Sequence, residues 1–269
     1  MKIEHDMRDV AYDMHFHPAY ELILVLRGRM RIIFGARAYE AGPNTLVCIN
    51  HLEAHALRVL ETPYERYFAI LPPQEADRWI CDGVLLSLFK NRPSTFQHVL
   101  SIERIASEVT FFFDALQRTN LQSDSAYYQE RMACLLRLLL MTVYHDQPAA
   151  FPLIDPDTQA PVFQIQQYID THFAECIAIQ ALADQFYWSV SRMTHCFKLQ
   201  TGLSPKQYLT LTRLAYARSL LLHGGVSVAE TAFRAGFGDV NNFIRRFKME
   251  YGQTPKQMQQ QKSLAPFAR

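Results

Sequence analysis

The residues Phe197-Lys198-Leu199-Gln200-Thr201-Gly202-Leu203-Ser204-Pro205-Lys206-Gln207 recur fifty positions later as Phe247-Lys248-Met249-Glu250-Tyr251-Gly252-Gln253-Thr254-Pro255-Lys256-Gln257. A repeat of this period means one supersecondary unit used twice. Each copy closes on a hydroxyl residue, then a proline, then a glutamine three positions after the hydroxyl. That is how a helix begins: the hydroxyl caps it, proline's missing N–H costs nothing in the first turn, and the glutamine reaches back to the cap.

Upstream of each closing motif the pattern predicts a short helix, a tight turn and a second helix. In the first unit Ala181 to Phe186 leads into Tyr187-Trp188, and Ser189 caps a helix running to Gln200. In the second, Ser227 and Glu230 form a capping box whose helix ends at Gly236. Phe237-Gly238 turns the chain, and Asp239 caps a helix reaching Tyr251. Helix, short turn, helix is the arrangement that places its second helix in the DNA major groove. A long helix from Lys206 to His223, apolar at Leu209, Leu211, Leu214, Ala217, Leu220 and Leu221, joins the units. Two reading helices held about 34 Å apart would enter successive grooves on one face of a duplex.

Helical geometry sorts the residues. Val190, Met193 and Phe197 share one face, as do Phe243 and Phe247, and these are expected in the core. Ser191, Thr194, His195 and Lys198 fall opposite in the first unit; Asn241, Asn242, Arg245 and Arg246 fall outward in the second. With the adjoining cations Arg192 and Lys248 they make the expected DNA-binding set. Asparagine and arginine match adenine and guanine edges bidentately, and serine or threonine bonds several bases. Any one of them alone reads as a solvated helix face. Duplication of the whole pattern makes the DNA reading the better one.

Charge supports that choice once the chain is divided. Over all 269 residues the formal net charge is +1, which by itself speaks against a nucleic-acid binder. From Phe163 onwards, however, 12 Lys and Arg face 6 Asp and Glu, while the rest holds 15 basic and 20 acidic residues. A basic half meets a polyanion; an acidic half keeps the whole soluble. The division falls near a stretch carrying Pro148, Pro152, Pro156 and Pro161, expected to be extended and stiff.

The residues Arg213-Leu214-x-x-Ala217-x-x-Leu220-Leu221, Ser227-Val228-x-x-x-Ala232-x-x-x-Gly236-Phe237-x-Asp239 and Phe243-x-x-x-Phe247-Lys248-x-x-x-Gly252-x-Thr254-Pro255 resemble the signature of the AraC/XylS family of bacterial transcription regulators. The resemblance spans about 163–259. Two positions depart from it: Asn241 stands where serine is usual, and Met258-Gln259 replaces a usual Tyr-Arg.

The acidic half reads in two styles. Glu21–Leu26, Met30–Phe34, Thr45–Ile49, Ala56–Leu60 and Tyr67–Leu71 are β-rich runs divided by Arg27-Gly28, Gly35 and Gly42-Pro43-Asn44, the pattern of a small barrel or sandwich. Helical periodicity follows, most clearly over Ser125 to His145, with Tyr128, Met132, Leu135, Leu136, Leu139 and Val143 on one face. A second strip, Cys134, Leu138 and Met141, needs a second partner, either a helix over Ser101 to Gln117 or another copy of the chain.

His15, His17, Glu21 and, further on, His55 open three readings. They line an effector pocket, hold a metal ion, or are satisfied locally with no ligand role. Their spacing resembles the first motif of the cupin superfamily, although the glycine expected before the histidines is missing. Cupin-like barrels ahead of AraC-type domains imply a small effector, usually bound without metal, so His15, His17, Glu21 and His55 are expected to bind effector, with no metal and no cofactor.

The resulting expectation is a multidomain α+β chain. A cupin-like β-barrel effector domain covers 1–71, a helical dimerisation and support segment 72–145, a proline-rich linker 146–162, and an all-α domain with two helix-turn-helix motifs 163–262. The Met1–Met14 arm, ahead of the barrel, is placed to fold over its pocket. The expected function is a non-enzymatic DNA-binding transcription regulator controlled by a small effector, a sugar or a small aromatic. Its expected partners are double-stranded DNA, a second copy of itself and RNA polymerase. The competing reading is a metal-dependent cupin enzyme with an accessory DNA-binding domain, against which no glycine-rich phosphate loop, GxSxG or HExxH is found. No apolar run nears the roughly 20 residues that span a bilayer, no secretory signal opens the chain, and five scattered cysteines fit a reducing cytoplasm.

Overall fold

The N-terminal unit contains the strands β1 (Lys2–Asp6), β2 (Ala11–His15), β3 (Tyr20–Phe34), β4 (Arg37–Ala41), β5 (Thr45–Ile49), β6 (His55–Leu71) and β7 (Val99–Ser101), whose β-branched and aromatic runs suit a pleated, half-buried surface. The computed structural model describes the chain apart from residues 10, 18, 36, 91, 93–95, 153–158, 224 and 265–269, and the side chains of 13, 159–160, 223 and 261–264. Among the described residues the strands form one antiparallel sheet in the order β1-β6-β3-β5-β7, with β2 also on β6 and β4 also on β3.

The Arg27-Gly28 step is not the turn its composition suggests. It lies inside β3, where the pairing with β6 shifts register three times between Val25 and Met30. Extra residues are absorbed as bulges, which bend a strand without ending it. Gly28 makes this possible at φ +72°, because a Cβ there would sit 2.4 Å from the Glu61 carbonyl oxygen. Likewise Ala56–Leu60 and Tyr67–Leu71 are two halves of one strand, β6. The Met1–Met14 arm is a correction of the same kind: β1 and β2 both pair with β6 and belong to the sheet.

The bend wraps the sheet around an interior. Ile23, Val25, Met30, Ile32, Phe34, Val47, Ile49, Leu57 and Tyr64 share one inner core. The outer face carries Tyr20, Leu22, Leu24, Leu46, Tyr67 and Ala69. Covering it are α1 (Pro73–Ile80), α2 (Gly83–Leu86), α3 (Ala106–Asn120) and α4 (Tyr128–Asp146). Met132, Leu136, Leu139 and Val143 of α4 are fully buried there, as the periodicity predicts. Cys134, Leu138 and Met141 are exposed.

Contacts divide the chain into two compact units, Met1–Phe163 and Gln164–Arg269. The proline-rich stretch departs from its extended expectation, for α5 (Gln159–His172) begins inside it. Pro161 falls in the first turn of α5, where a missing N–H removes no hydrogen bond; Pro156 lies outside the described residues. The remaining helices are α6 (Ile179–Gln185), α7 (Val190–Thr201), α8 (Pro205–His223), α9 (Val228–Arg234), α10 (Val240–Tyr251) and α11 (Pro255–Leu264).

Both copies of the closing motif form the reciprocal cap read from sequence. Ser204 N–H donates to Gln207 Oε1 at 3.0 Å and Gln207 N–H returns to Ser204 Oγ; Thr254 and Gln257 do the same. Ser189 and Asp239 cap α7 and α10. Ser227 caps α9, but the expected box is half made, because the Glu230 carboxylate pairs with Arg234 at 2.7 Å.

Gly236 has φ +80°, and a Cβ there would lie 2.8 Å from the backbone of Ala174; around Gly252, at φ +69°, the space is open. Gly236→Ala therefore combines left-handed strain with a backbone collision and is expected to cost about 2–4 kcal/mol. Gly252→Ala carries strain alone and is expected to cost about 1–2 kcal/mol. Urea midpoints followed by far-UV circular dichroism measure the difference; equal losses would contradict it.

Candidate nucleic-acid interface and ligand site

On α7, Ser191, Arg192, His195 and Lys198 are exposed and Thr194 is half-buried, while Met193 and Phe197 are fully buried beneath them. Arg192 lies over the Trp188 ring, 5.0 Å from its centroid. Val190, expected in the core, is only half-buried at the start of the helix. On α10, Asn241, Arg245 and Lys248 are exposed, Asn242 and Arg246 half-buried, and Phe243 and Phe247 fully buried. Asn242 Oδ1 accepts from both Arg245 Nη2 (3.3 Å) and Arg246 Nε (3.2 Å), holding two guanidinium groups together on one helix face.

Other signature residues turn out to be structural. Arg213 donates to the carbonyls of Phe173 and Glu175, both at 2.7 Å, satisfying acceptors just past the end of α5. Met258 is buried in the core of the second motif, and Gln259 Nε2 donates to the Val226 carbonyl at 2.7 Å. The departure at Met258-Gln259 leaves α11 intact. Lys206, next to the N-terminal proline of α8, shares a surface hollow with Ser204, Thr210 and Arg246.

In the N-terminal unit the four expected effector residues converge. His15 and His55 are register partners on β2 and β6. Ring centroids of His15 and His55 lie 4.4 Å apart, and those of His17 and His55 5.2 Å. Glu21, at the start of β3, accepts from His17 Nε2 at 3.0 Å and lies 3.6 Å from His55 Nε2. His55 and Glu21 are buried; His15 and His17 are half-buried. One donor atom from each of the three imidazoles lies within 4.8 Å of the other two.

Electrostatics act on the two buried members, Glu21 and His55. Burial opposes ionisation of Glu21, yet the His17 hydrogen bond, the two imidazoles and Arg66 hold its carboxyl below the usual range. Burial also drives the His55 imidazole down to about 4, against the pull of Glu21, so it is neutral near pH 7.

Two further polar groups were not read from sequence. Arg66 is buried and bonded to Asp6 at 3.3 Å, with the rings of Tyr12, Tyr64 and Phe68 within 6 Å of its guanidinium carbon. Its Nε has no partner among the described residues. Glu53 bridges Arg92 Nη1 (2.9 Å) and His98 Nε2 (2.8 Å), both buried.

The AraC-like ligand binding domain, as a sequence family, matches residues 2–140, and a helix-turn-helix domain family matches 182–261. The chain belongs to the AraC family of transcription regulators. As in that family, an N-terminal ligand-binding domain precedes a DNA-binding domain with two helix-turn-helix motifs. The HTH-type transcriptional activator RhaS of Salmonella arizonae is 28% identical, covering 98% of this chain and 93% of the relative. RhaS of Klebsiella pneumoniae is 25% identical over 96% of this chain and 91% of its own length. ToxT from Vibrio cholerae shares the fold of this AraC-family chain at TM-score 0.61 and 13% identity, covering 96% of both chains. An unsaturated fatty acid-bound ToxT matches at TM-score 0.61 and 12% identity, over 96% of this chain and 93% of that one. No described helix is long and apolar enough to cross a membrane.

Proposed function

We propose that this regulator binds its effector inside the bent sheet, at His15, His17, Glu21 and His55, and reads DNA through α7 and α10. The observation that carries the effector site is the convergence of these four side chains, two of them buried, beside an apolar inner face. A small ligand there would meet a few placed polar groups on apolar walls, the usual composition of a pocket. The orphaned Nε of Arg66 adds a donor for a carboxylate or hydroxyl oxygen. ToxT crystallised with a fatty acid supports an acidic effector alongside the sugar and small-aromatic classes.

The protein acts by binding, not by catalysis, in the cytoplasm, in keeping with transcriptional activators among its relatives. Residues 1–71 and 72–145 together sense the effector, and 146–162 joins them to the reading domain at 163–262. The exposed strip of Cys134, Leu138 and Met141 on α4 meets a second copy of the chain, and RNA polymerase is the partner through which activation proceeds. An effector changes DNA binding only if it prefers one arrangement of this assembly over another. The test is a metabolite screen by thermal shift on the full chain, followed by DNA affinity with and without each hit. Ligands that raise the melting temperature of wild type but not of Arg66→Ala or His17→Ala support the site. Hits whose shifts survive both changes would place the effector elsewhere.

DNA reading makes a second prediction. Arg245→Ala is expected to cost about 1–3 kcal/mol on the cognate duplex and to relax base preference at one position. Lys198→Ala is expected to weaken binding to all duplexes alike and to reduce the slope of log affinity against log salt by about one. Fluorescence anisotropy on selected and random duplexes over a salt series separates the two. Identical behaviour of the variants would contradict the assignment.

A further inference from the structure

We propose that the groove between α3 and α4 binds a small organic carboxylate, at a site separate from the interior of the bent sheet. Two matched helix faces line it, Ala115, Arg118 and Thr119 on α3 and Arg131, Cys134 and Leu135 on α4, each spaced i, i+3 and i+4. The groove holds about 270 Å³. At roughly 30 Å³ for each water-sized atom of a liquid, that is room for about nine non-hydrogen atoms.

Its charge calls for an anion. Arg118 and Arg131 are exposed, and among the described residues neither guanidinium makes a salt bridge or a side-chain hydrogen bond. The acid one turn before Arg118, Asp114, accepts from the Tyr67 hydroxyl instead. Glu130, next to Arg131 in sequence, does not face it across the helix. Two unpaired cations on one hollow repel each other; a carboxylate between them ends that and accepts charge-assisted hydrogen bonds from both. The N-terminus of α4, a turn from Arg131, has no side-chain cap, and the positive end of its dipole also favours an anion.

Thr119 supplies a further donor. A helical threonine often turns its hydroxyl back to the carbonyl four residues earlier, as Thr201, Thr212 and Thr231 do at 2.8, 3.0 and 2.8 Å. Thr119 is fully buried, lines the groove, and its Oγ1 has no partner among the described residues. A buried hydroxyl left unpaired is costly, and a carboxylate oxygen would satisfy it. Ala115 and Leu135 offer only apolar surface, so the occupant carries a hydrocarbon body behind its charge.

Calorimetry on the full chain tests this with cyclohexanecarboxylate, its neutral carboxamide and inorganic phosphate. Expected are one saturable site per chain for the carboxylate, binding of the carboxamide weaker by about tenfold or more, and no uptake of phosphate at the same concentration. Arg118→Met and Arg131→Met, both at exposed positions, should each weaken the carboxylate by about tenfold or more. Thr119→Val, which keeps the side chain's shape, should weaken it about three- to tenfold. Arg66→Ala, inside the sheet, should leave it unchanged. Cys134 is exposed and gives a local readout: the carboxylate should slow its alkylation in proportion to the sites filled, while exposed Cys81 and Cys176 react as before. No saturable binding by wild type, or carboxamide or phosphate bound as tightly as carboxylate, would overturn the proposal. Binding lost in Arg66→Ala but kept in both Arg118→Met and Arg131→Met would also overturn it, by placing the ligand inside the sheet.

Discussion

Phe247→Ala is expected to destabilise the C-terminal unit by about 3–5 kcal/mol, the cost of deleting a fully buried ring and leaving its cavity. Phe247 sits at the centre of the second motif, with ring centroids 5.4 Å from Phe243 and 4.6 Å from Tyr251, against Leu214, Ala217 and Leu221 of α8. Little can collapse into the space, because the neighbours are rings and a helix already packed. Lys248→Ala, one residue on and exposed, should change stability by less than about 0.5 kcal/mol while weakening DNA. Urea unfolding by circular dichroism, paired with anisotropy on DNA, separates these outcomes. Phe247→Ala costing under about 1 kcal/mol would mean that α10 is not packed as described.

Glu53→Gln is the counterpart in the N-terminal unit, with an expected loss of about 3–5 kcal/mol, because it leaves the Arg92 guanidinium buried without its counter-charge. Arg92 has little else to turn to: Nε donates to the Leu88 carbonyl, its cation stacks on Phe96 at 4.1 Å, and Nη2 lacks a partner among the described residues. Removing both charges, in Glu53→Gln with Arg92→Met, should restore much of the loss.

The pair also sets an acid limit. Burial opposes ionisation of Glu53, but Arg92, His98 and the Asn50 amide outweigh it and hold its carboxyl at about 2, from 4.5. A carboxyl lowered by folding stabilises above its unfolded value, and that contribution fades as pH falls from about 4.5 towards 2. Its full size is about 3 kcal/mol. Trp79 and Trp188 fall one in each unit, so Trp188→Phe leaves Trp79 fluorescence to report the N-terminal unit alone. Wild type should lose stability over that window, and Glu53→Gln should show a shallower slope. Parallel curves would sink the assignment.

Much of the reading domain was legible because its determinants are local. A cap needs residues three apart, a left-handed helix end needs glycine, and a helix face needs only the 3.6-residue period. So the repeat placed α7, α8, α10 and α11 within a residue or two, and put Phe197, Phe243 and Phe247 inside. The half-made box at Ser227 shows the limit: Glu230 had a competing partner one turn on, Arg234, and the charge pair won. The sensing domain was legible only in outline. Its histidines and Glu21 stand out in the sequence as a set, but nothing local says that they meet.

Alternation failed as a guide because the long strands change phase. In β3 the inward residues are Ile23 and Val25 before the bulges, then Met30, Ile32 and Phe34 after them; in β6 they are His55 and Leu57, then Tyr64 and Arg66. An odd–even switch hidden in a bulge reads from sequence as a turn, which is how two strands became four and Arg66 went unseen. Sequence alone determined that this chain carries two DNA-reading units and a β-rich sensing half, since repeats, caps and charge act over short range. Tertiary structure alone decided which polar groups stand together inside that half. His15 ends β2, His17 precedes β3, Glu21 lies at the start of β3, and His55 and Arg66 lie eleven residues apart on β6, so only the bending and pairing of the sheet bring them to one place.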